Sequence, residues 1–190
     1  MKRILFASAA LAVTLVSGYL GARHAGSVPA RLAVLPFLNQ GDSTDAYFAD
    51  GMTEDITTDL SRIRWLLVIA SSSAFTYKGR QVTPQEVGRE LSVRYLLEGS
   101  VRSSGRRLRV TVRLVDTATG QQSWAERFDR GIDDLFALQD ELCRRVCAQV
   151  GATVPEAELD RARQKHPRQL HAWELSLLGR SNLREVSRTG

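Results

Sequence analysis

The spacing of the apolar residues changes once along the chain, near Val93, and this change constrains the fold most. Before it, two segments are continuous apolar runs, Arg31 to Phe37 and Trp65 to Ser71. Such runs are typical of strands buried on both faces. After it the period changes to two, because Leu108, Val110, Val112 and Leu114 alternate with Arg109, Thr111 and Arg113. Three strands are predicted there: Arg94 to Arg102, Arg107 to Asp116 and Gln121 to Asp129. Strict alternation indicates strands with one solvated face, so we predict one mixed five-stranded sheet with an antiparallel meander.

Helical patterns fill the intervals between these strands. Apolar residues recur at helical spacing from Phe48 to Ile63, which predicts a helix beginning near Ala46. Thr83, Pro84 and Glu86 are interpreted as an N-cap, a first-turn proline and a capping box one residue out of register, opening a helix at Pro84 to Leu91. A further stripe predicts a helix over Ile132 to Val150. The predicted order is β-α-β-α-β-β-β-α, an α/β (α+β) fold over residues 31–151.

The amino-terminal segment is expected to lie outside this fold. Residues 4–20 are uncharged and mostly apolar, and they follow Lys2 and Arg3. We interpret residues 1–22 as a membrane anchor with Lys2 and Arg3 on the cytoplasmic side, and residues 23–30 as a linker. This predicts a single-pass inner-membrane protein with its globular domain in the periplasm. The alternative is a cleaved signal segment and a secreted periplasmic domain.

The carboxy-terminal segment, residues 152–190, is predicted to be a helical extension. Pro155 is expected to interrupt the preceding helix, and Glu156 to Lys165 to form a polar connector. Leu170, Trp173, Leu177 and Leu178 then form an apolar stripe without a second helix to cover it. An uncovered stripe of this kind predicts weak packing or self-association.

Charge and cysteine content exclude several classes of function. The net charge is +5, and the densest basic patch, Arg102 to Arg113, is interpreted as a solvated hairpin and not as a phosphate site. No nucleic-acid partner is therefore predicted. Cys143 and Cys147 are four residues apart in a predicted helix, too far for a good disulfide. We expect both thiols to be buried against the sheet.

The sequence assigns no catalytic, cofactor-binding or metal-ligating residue, and it leaves the binding site unknown. Asp50, Glu54, Asp55 and Asp59 form an acidic cluster on a predicted helix, but acids there complement the helix dipole or face water. A rival hypothesis, a small hydrolase or nucleotide-using enzyme, would assemble its site from Asp50, Glu54 and a serine such as Ser72. No phosphate-binding glycine motif or nucleophile motif supports it. Trp65, Trp124 and Trp173 are interpreted as core residues.

Several motifs in order resemble one known module: LAVLPF, YFADGMTEDITTDLSRI, LLVIASSSAFTYKG and VGRELSVRYLLEGSVRSSGRRLRVTVRLVDTATGQQSWAERFDR. The chain from about Leu32 to Val150 resembles the TolB-like amino-terminal domain. That domain follows the membrane helix in CadC-type winged-helix regulators and class III adenylate cyclases, with tetratricopeptide repeats behind it. Leu175, Leu178, Gly179 and Asn182 have the spacing of the first helix of such a repeat. We expect only this half-repeat, and we expect no winged-helix or cyclase domain before the anchor.

The resemblance implies a non-enzymatic, membrane-anchored periplasmic module that binds proteins or senses a signal. Its expected partners are proteins of the cell envelope, with self-association through the carboxy-terminal helix as a further route. An alternative is that the chain is a truncated remnant of a membrane-bound transcriptional regulator or adenylate cyclase. The resemblance carries over neither of those cytoplasmic activities.

Overall fold

A mixed sheet packed with helices forms the centre of the protein. The computed structural model describes residues 30–41, 44–131, 135–165 and 170–189. The strands are β1 (Ala30–Val34), β2 (Leu38–Asn39), β3 (Leu66–Val68), β4 (Tyr95–Ser104), β5 (Arg107–Asp116) and β6 (Gln122–Gly131). The helices are α1 (Thr44–Ser61), α2 (Ser71–Phe75), α3 (Pro84–Glu90), α4 (Leu135–Gln164) and α5 (Ala172–Thr189).

The strand order is β3-β1-β4-β5-β6, with the two-residue β2 also paired to β4. β1 lies parallel to both β3 and β4, which confirms the predicted central position of the first strand. β4, β5 and β6 form the predicted antiparallel meander. The predicted fold class is therefore confirmed, with six strands where five were expected.

The two faces of the sheet are covered unequally. Helices α1 and α4 cover one face, and their apolar stripes pack on alternate residues of β1, β4 and β5 to form the main core. On the opposite face, a smaller cluster joins Tyr77, Val87 and Val93 to Ala33 and Leu96. This smaller cluster covers only the β1 end of β4. The rest of that face, toward the β4–β5 turn, is polar and solvated.

Two short elements were missed by the sequence prediction. β2 follows a bend at Pro36, and its burial is low at both positions. Two residues are too few to show a period. The segment after β3 was predicted as strand to Ser71 and then connection, but α2 begins at Ser71. A helix of five residues likewise lies below the length at which periodicity can be read.

The predicted break at Pro155 is wrong. α4 runs from Leu135 to Gln164 with Pro155 inside it, so Glu156 to Lys165 is not a separate helix. An interior proline costs about 3 kcal/mol because it removes a hydrogen bond and crowds the preceding turn. Val150 and Val154 are fully buried and Ala157 packs on the main core. This packing on both sides of the proline offsets its cost.

The chain divides into two compact units, and Pro29–Ala157 is one of them. The described residues of the other unit are 158–165 and 170–189. In that second unit, the Lys165 ammonium donates to one carboxylate oxygen of Glu174 at 2.6 Å. The other oxygen of this carboxylate accepts from the His171 amide at 2.9 Å. Burial raises the pKa of Glu174, but these two donors more than offset it and leave the pKa lowered.

The carboxy-terminal helix was predicted correctly, but its apolar stripe is not left open. Trp173 and Leu177 are buried, whereas Leu175 is exposed. Its assignment to a tetratricopeptide repeat stays a prediction. Across the described ranges, no helix combines the length and apolar character needed to cross a membrane. The predicted anchor, residues 4–20, lies outside those ranges.

Candidate functional site: a groove beside an open sheet face

A groove of about 1150 Å³ lies on the less covered face of the sheet. One wall is the bend between β1 and β2, and the other is the loop between α2 and α3. Glu98, Gly99 and Arg113 line it from the sheet. The apolar lining residues include Leu35, Leu38 and Val82, and the charged ones include Lys78, Arg80 and Glu86.

The first wall is held in place by a buried threonine. The Phe37 amide donates to Thr53 Oγ1 at 3.0 Å, and the Thr53 hydroxyl donates to the Ala49 carbonyl at 2.8 Å. Without Thr53, the bend would leave the Phe37 N–H unpaired in the core. The Phe37 ring packs over Gly99, where a Cβ atom would lie only 2.4 Å from Cε2 of the ring. The bend therefore requires a glycine at position 99.

The second wall is ordered by hydrogen bonds at both of its ends. The Tyr77 hydroxyl donates to Glu90 at 2.6 Å, and burial together with this carboxylate raises the pKa of Tyr77. The Arg80 guanidinium lies 4.8 Å from the centre of the Tyr77 ring, within range of a cation–π contact.

At the other end of this wall, α3 begins with a complete capping box, so the predicted misregister is wrong. Thr83 Oγ1 accepts from the Glu86 amide, and the Glu86 carboxylate accepts from the Thr83 amide at 2.7 Å. This backbone hydrogen bond, and the one from the Thr83 hydroxyl, lower the pKa of Glu86.

Beyond the groove, an uncovered sheet surface continues to the β4–β5 turn, and we call it the open face. Its side chains alternate with those of the main core and point to the opposite side. Leu38 is paired with Ser100, Thr111 with Arg127, and Arg102 with Arg109. The open face consists of Leu38, Glu98, Ser100, Arg102, Arg107, Arg109, Thr111, Arg113, Ala125, Arg127 and Asp129.

The charges of the open face are only partly paired. Asp129 accepts from Arg109 at 2.6 Å and lies 3.1 Å from Arg107, and Glu98 lies 3.2 Å from Arg113. The hydrogen bond from Arg109, with the charges of both arginines, lowers the pKa of Asp129. The basic patch predicted as a solvated hairpin is therefore an exposed part of the sheet.

The residues of the rival enzyme hypothesis do not line this groove. Asp50 binds the Lys78 ammonium at 2.6 Å, whereas Glu54 and Ser72 are exposed. Asp55 accepts from Gln139, and Asp59 pairs with Arg62 at 2.9 Å. Among the described residues, no three metal-binding side chains come together.

The aromatic and cysteine predictions agree with the structure. Trp65 and Trp124 pack against the main core, and Trp173 is buried. Cys143 is buried and Cys147 half-buried, and both are free thiols. Burial raises the pKa of Cys143 to about 12 and that of Cys147 to about 11. Neither thiol therefore has the lowered pKa of a reactive cysteine.

The groove could not be found from the sequence, since its walls come from segments that are distant in the chain. The available signal was partial: Gly99 lies inside a predicted strand, and a glycine there often marks a close backbone approach. Alternation in β5 did place Arg109 and Arg113 on a solvated face. It could not show that α3 stops short of them.

Residues 29–145 match the family described as the HilA/YgeH-like transcriptional regulator, second domain. The chain is also 50% identical over 137 residues to a putative adenylate cyclase 3 of Rhizobium meliloti (strain 1021). That match covers 70% of this chain and 23% of the relative, so the chain spans less than a quarter of the relative's length. The adenylate cyclase part of the resemblance thus has a counterpart in a named relative.

Solved structures with a similar fold include a lipoprotein of Neisseria meningitidis, at 20% identity and a TM-score of 0.49 over 65% of this chain and 99% of that one. The LpoB C-terminal domain from Escherichia coli is 17% identical, with a TM-score of 0.44 over 62% and 93%. TolB from Acinetobacter baumannii is 14% identical, with a TM-score of 0.43 over 62% and 27%. At these values, the likenesses do not bear on function.

Proposed function

The chain belongs to the family of HilA/YgeH-like transcriptional regulator second domains, and from this we propose that its α/β domain is a protein-binding module of the bacterial cell envelope, not an enzyme. In finer detail, we propose that it is a TolB-like amino-terminal domain. The family description concerns regulators, and regulators act through contacts with other molecules. The module would therefore contribute binding to a larger signalling or regulatory system.

The observation that carries the proposal is the open face beside the groove. Helices α1 and α4 pack on the opposite side of the sheet, but here a surface spanning three long strands has no covering element among the described residues. Leu38 at its edge is 55% exposed. An exposed apolar side chain at the edge of an arginine-rich surface, next to a groove, resembles an interface in composition, because arginine is enriched at protein interfaces.

The chemistry of the groove favours binding over catalysis. Its carboxylates are engaged in structural contacts, Glu86 in the capping box and Glu98 with Arg113. The lining residues include no histidine, cysteine or serine. The relative named as a putative adenylate cyclase is aligned over 23% of its length, so cyclase activity is not proposed for this domain.

We further propose that residues 4–20 anchor the protein in the inner membrane and that the domain lies in the periplasm. Alkaline phosphatase fused after Val28, ahead of β1, should be active in a Gram-negative host because the charge bias keeps Lys2 and Arg3 inside. A cleaved signal segment would give the same activity in a smaller, soluble product. An inactive fusion, with an active cytoplasmic reporter at the same junction, would reject the periplasmic location.

We propose that partner contact occurs at the open face and not at α5. Self-association through α5 is less favourable than the sequence indicated because Trp173 and Leu177 are buried. The remnant alternative remains compatible with a binding domain of this kind.

Site-directed photo-crosslinking in intact cells tests the binding function. A photoreactive phenylalanine analogue placed at Leu38 should give crosslinked protein adducts in the membrane fraction. The control position is Tyr47 on α1, which is 90% exposed and lies on the helix of the opposite side. Adducts at both positions in equal amounts, or at neither, would contradict a specific protein interface at the open face.

A further inference from the structure

The charge pattern of the open face is not explained by the stability of the sheet. Arg102 on β4 lies directly opposite Arg109 on β5, and like charges opposite each other on neighbouring strands are destabilising. Asp129 is shared between Arg107 and Arg109. Among the described residues, neither Arg102 nor Arg127 has an ion-pair partner, and both side chains are exposed. The face therefore has a surplus of cationic groups.

An apolar position accompanies this surplus. Leu38 lies beside Ser100 at the β2 edge, next to the groove and its apolar lining residues Leu35 and Val82. The line of paired residues from Leu38 through Ser100 and Thr111 to Arg127 crosses three strand spacings. At roughly 4.8 Å each, its length is about 14 Å. An extended peptide covers that distance in about four residues at roughly 3.3 Å per residue.

From this we propose that the open face binds an acidic, extended segment of a partner protein, with one apolar side chain in the groove by Leu38 and carboxylates on Arg102 and Arg127. This inference rests on the proposed protein-binding function and names the partner's chemistry. Carboxylates on Arg102 would also relieve its repulsion with Arg109. Arginine suits this role because its planar donors match a carboxylate.

Two features favour an acidic peptide over a nucleic acid. The carboxylates Glu98 and Asp129 lie within the same face, where they would repel a regularly spaced phosphate backbone. The groove at the edge is partly apolar, which suits an aliphatic side chain and gives a sugar-phosphate chain no contact. Nucleic-acid binding depends instead on many phosphate contacts to lysine and arginine.

The test uses the full-length protein in detergent and a random twelve-residue peptide library displayed on phage. We expect the enriched peptides to carry two or more acidic residues within about five positions of an aliphatic residue. Their binding should fall at least tenfold in the double variant Arg102→Glu/Arg127→Glu and by a smaller factor in Arg102→Gln/Arg127→Gln. The binding should also weaken with added salt, because exposed charges are screened.

The matched control is Arg64→Glu/Arg144→Glu, which makes the same change of net charge at two exposed arginines outside the open face. It should bind the selected peptides as the natural protein does. None of the three variants should melt at a clearly lower temperature than the natural chain, because the four substituted side chains are exposed and none has an ion-pair partner among the described residues.

Three results would overturn the proposal. The first would be a library that yields no enriched peptides or only uncharged ones. The second would be an equal loss of binding in the control variant. The third would be tighter binding of a twelve-nucleotide single strand through the same arginines. Crosslinking from Leu38 separates this failure from that of the proposed function. If adducts form at Leu38 and persist in Arg102→Glu/Arg127→Glu, the protein-binding function stands and the acidic partner is wrong.

Discussion

The sheet face opposite the main core has a covered half and an open half, and each contains an arginine–carboxylate pair. In the covered half, under α3 and the loop before it, Arg94 binds a largely buried Asp116 at 2.8 Å. In the open face, Arg113 binds Glu98 at 3.2 Å with half of the arginine exposed. The same type of pair stabilises the first half and leaves the second half free to exchange partners, because burial decides what an ion pair contributes.

The largest difference between the halves should come from removing apolar volume. Leu96 on β4 is fully buried beneath the covering elements, so Leu96→Ala should lower the free energy of unfolding by about 2 to 5 kcal/mol. Arg102→Ala, six residues along the same strand in the open face, should change it by less than about 0.5 kcal/mol. Urea denaturation of both variants measures the contrast. Similar losses would mean that the open face is part of the stabilising core.

The close approach of α3 to the turn after β5 should also matter in the covered half. A Cβ atom on Gly88 would lie 2.4 Å from Cβ of Thr117, so Gly88→Ala should destabilise by about 1 to 3 kcal/mol through overpacking. Gly51→Ala in α1 is the control, since its nearest neighbour would be at 3.6 Å. That variant should be stabilised by up to about 1 kcal/mol from helix propensity. Thermal melts that give both variants the same sign would refute the packing argument.

An effect of similar size is expected at Asp116. Its second oxygen accepts from the amides of Ala118 and Thr119 at 3.0 and 3.3 Å, so the carboxylate fixes the turn as well as Arg94. Asp116→Ala should cost about 1 to 3 kcal/mol because these donors lose their acceptor. Glu98→Ala, which removes the exposed pair with Arg113, should cost about 0 to 1 kcal/mol. Equal losses of the free energy of unfolding, measured by chemical denaturation, would show that burial does not make the two ion pairs different in strength.

The smallest expected effect is the dependence on pH and salt. The pKa of Asp129 is lowered, first by the hydrogen bond from Arg109, so its ionised form stabilises the fold above the unfolded-state value of about 3.9. That contribution is lost as the pH falls through the lower folded-state value. The difference in melting temperature between the natural chain and Asp129→Asn should therefore vanish at acid pH.

Glu86 provides the contrast in the covered half. Its pKa is also lowered, but chiefly by the hydrogen bond with the Thr83 backbone, so the pH dependence has the same sign. High salt should weaken the effect of Asp129→Asn more than that of Glu86→Gln, since Asp129 is bonded to charged guanidinium groups and Glu86 chiefly to a neutral backbone amide. Melting curves at low and high salt would show the difference. A salt-insensitive Asp129→Asn would contradict it.

Local patterns were sufficient to predict the sheet but not which parts of its faces the helices cover. Alternation along Leu108 to Leu114 gave the meander and its solvated side, because a period of two is a property of the strand itself. Cys143 was placed correctly because a helical stripe determines which face is buried. These features depend only on neighbours in sequence.

The features that the sequence did not predict depend on contacts between residues that are close in space but not adjacent in the sequence. Pro155 was taken as a helix end because the cost of an interior proline is visible in the sequence, whereas the packing of Val150 and Val154 that offsets it is not. The bend at Phe37 needed Thr53 from another element, sixteen residues later. The groove and the open face are defined by where α3 lies, and α3 packs with Gly88 against Thr117, which is 29 residues later in the chain.

The placement of β4 has a consequence for how the chain reaches this structure. Its pairing with β5 closes across a short turn at Gly105, whose φ of +59° suits glycine. Its pairing with β1 joins Leu32 to Tyr95, a loop of about 60 residues with a correspondingly larger closure entropy. We therefore expect the hairpin strands to assemble first and to present β4 as a template for β1. In the nascent chain, the arginines of the open face would then be in place before the groove beside them, because the groove forms only when β1 and β2 dock on β4.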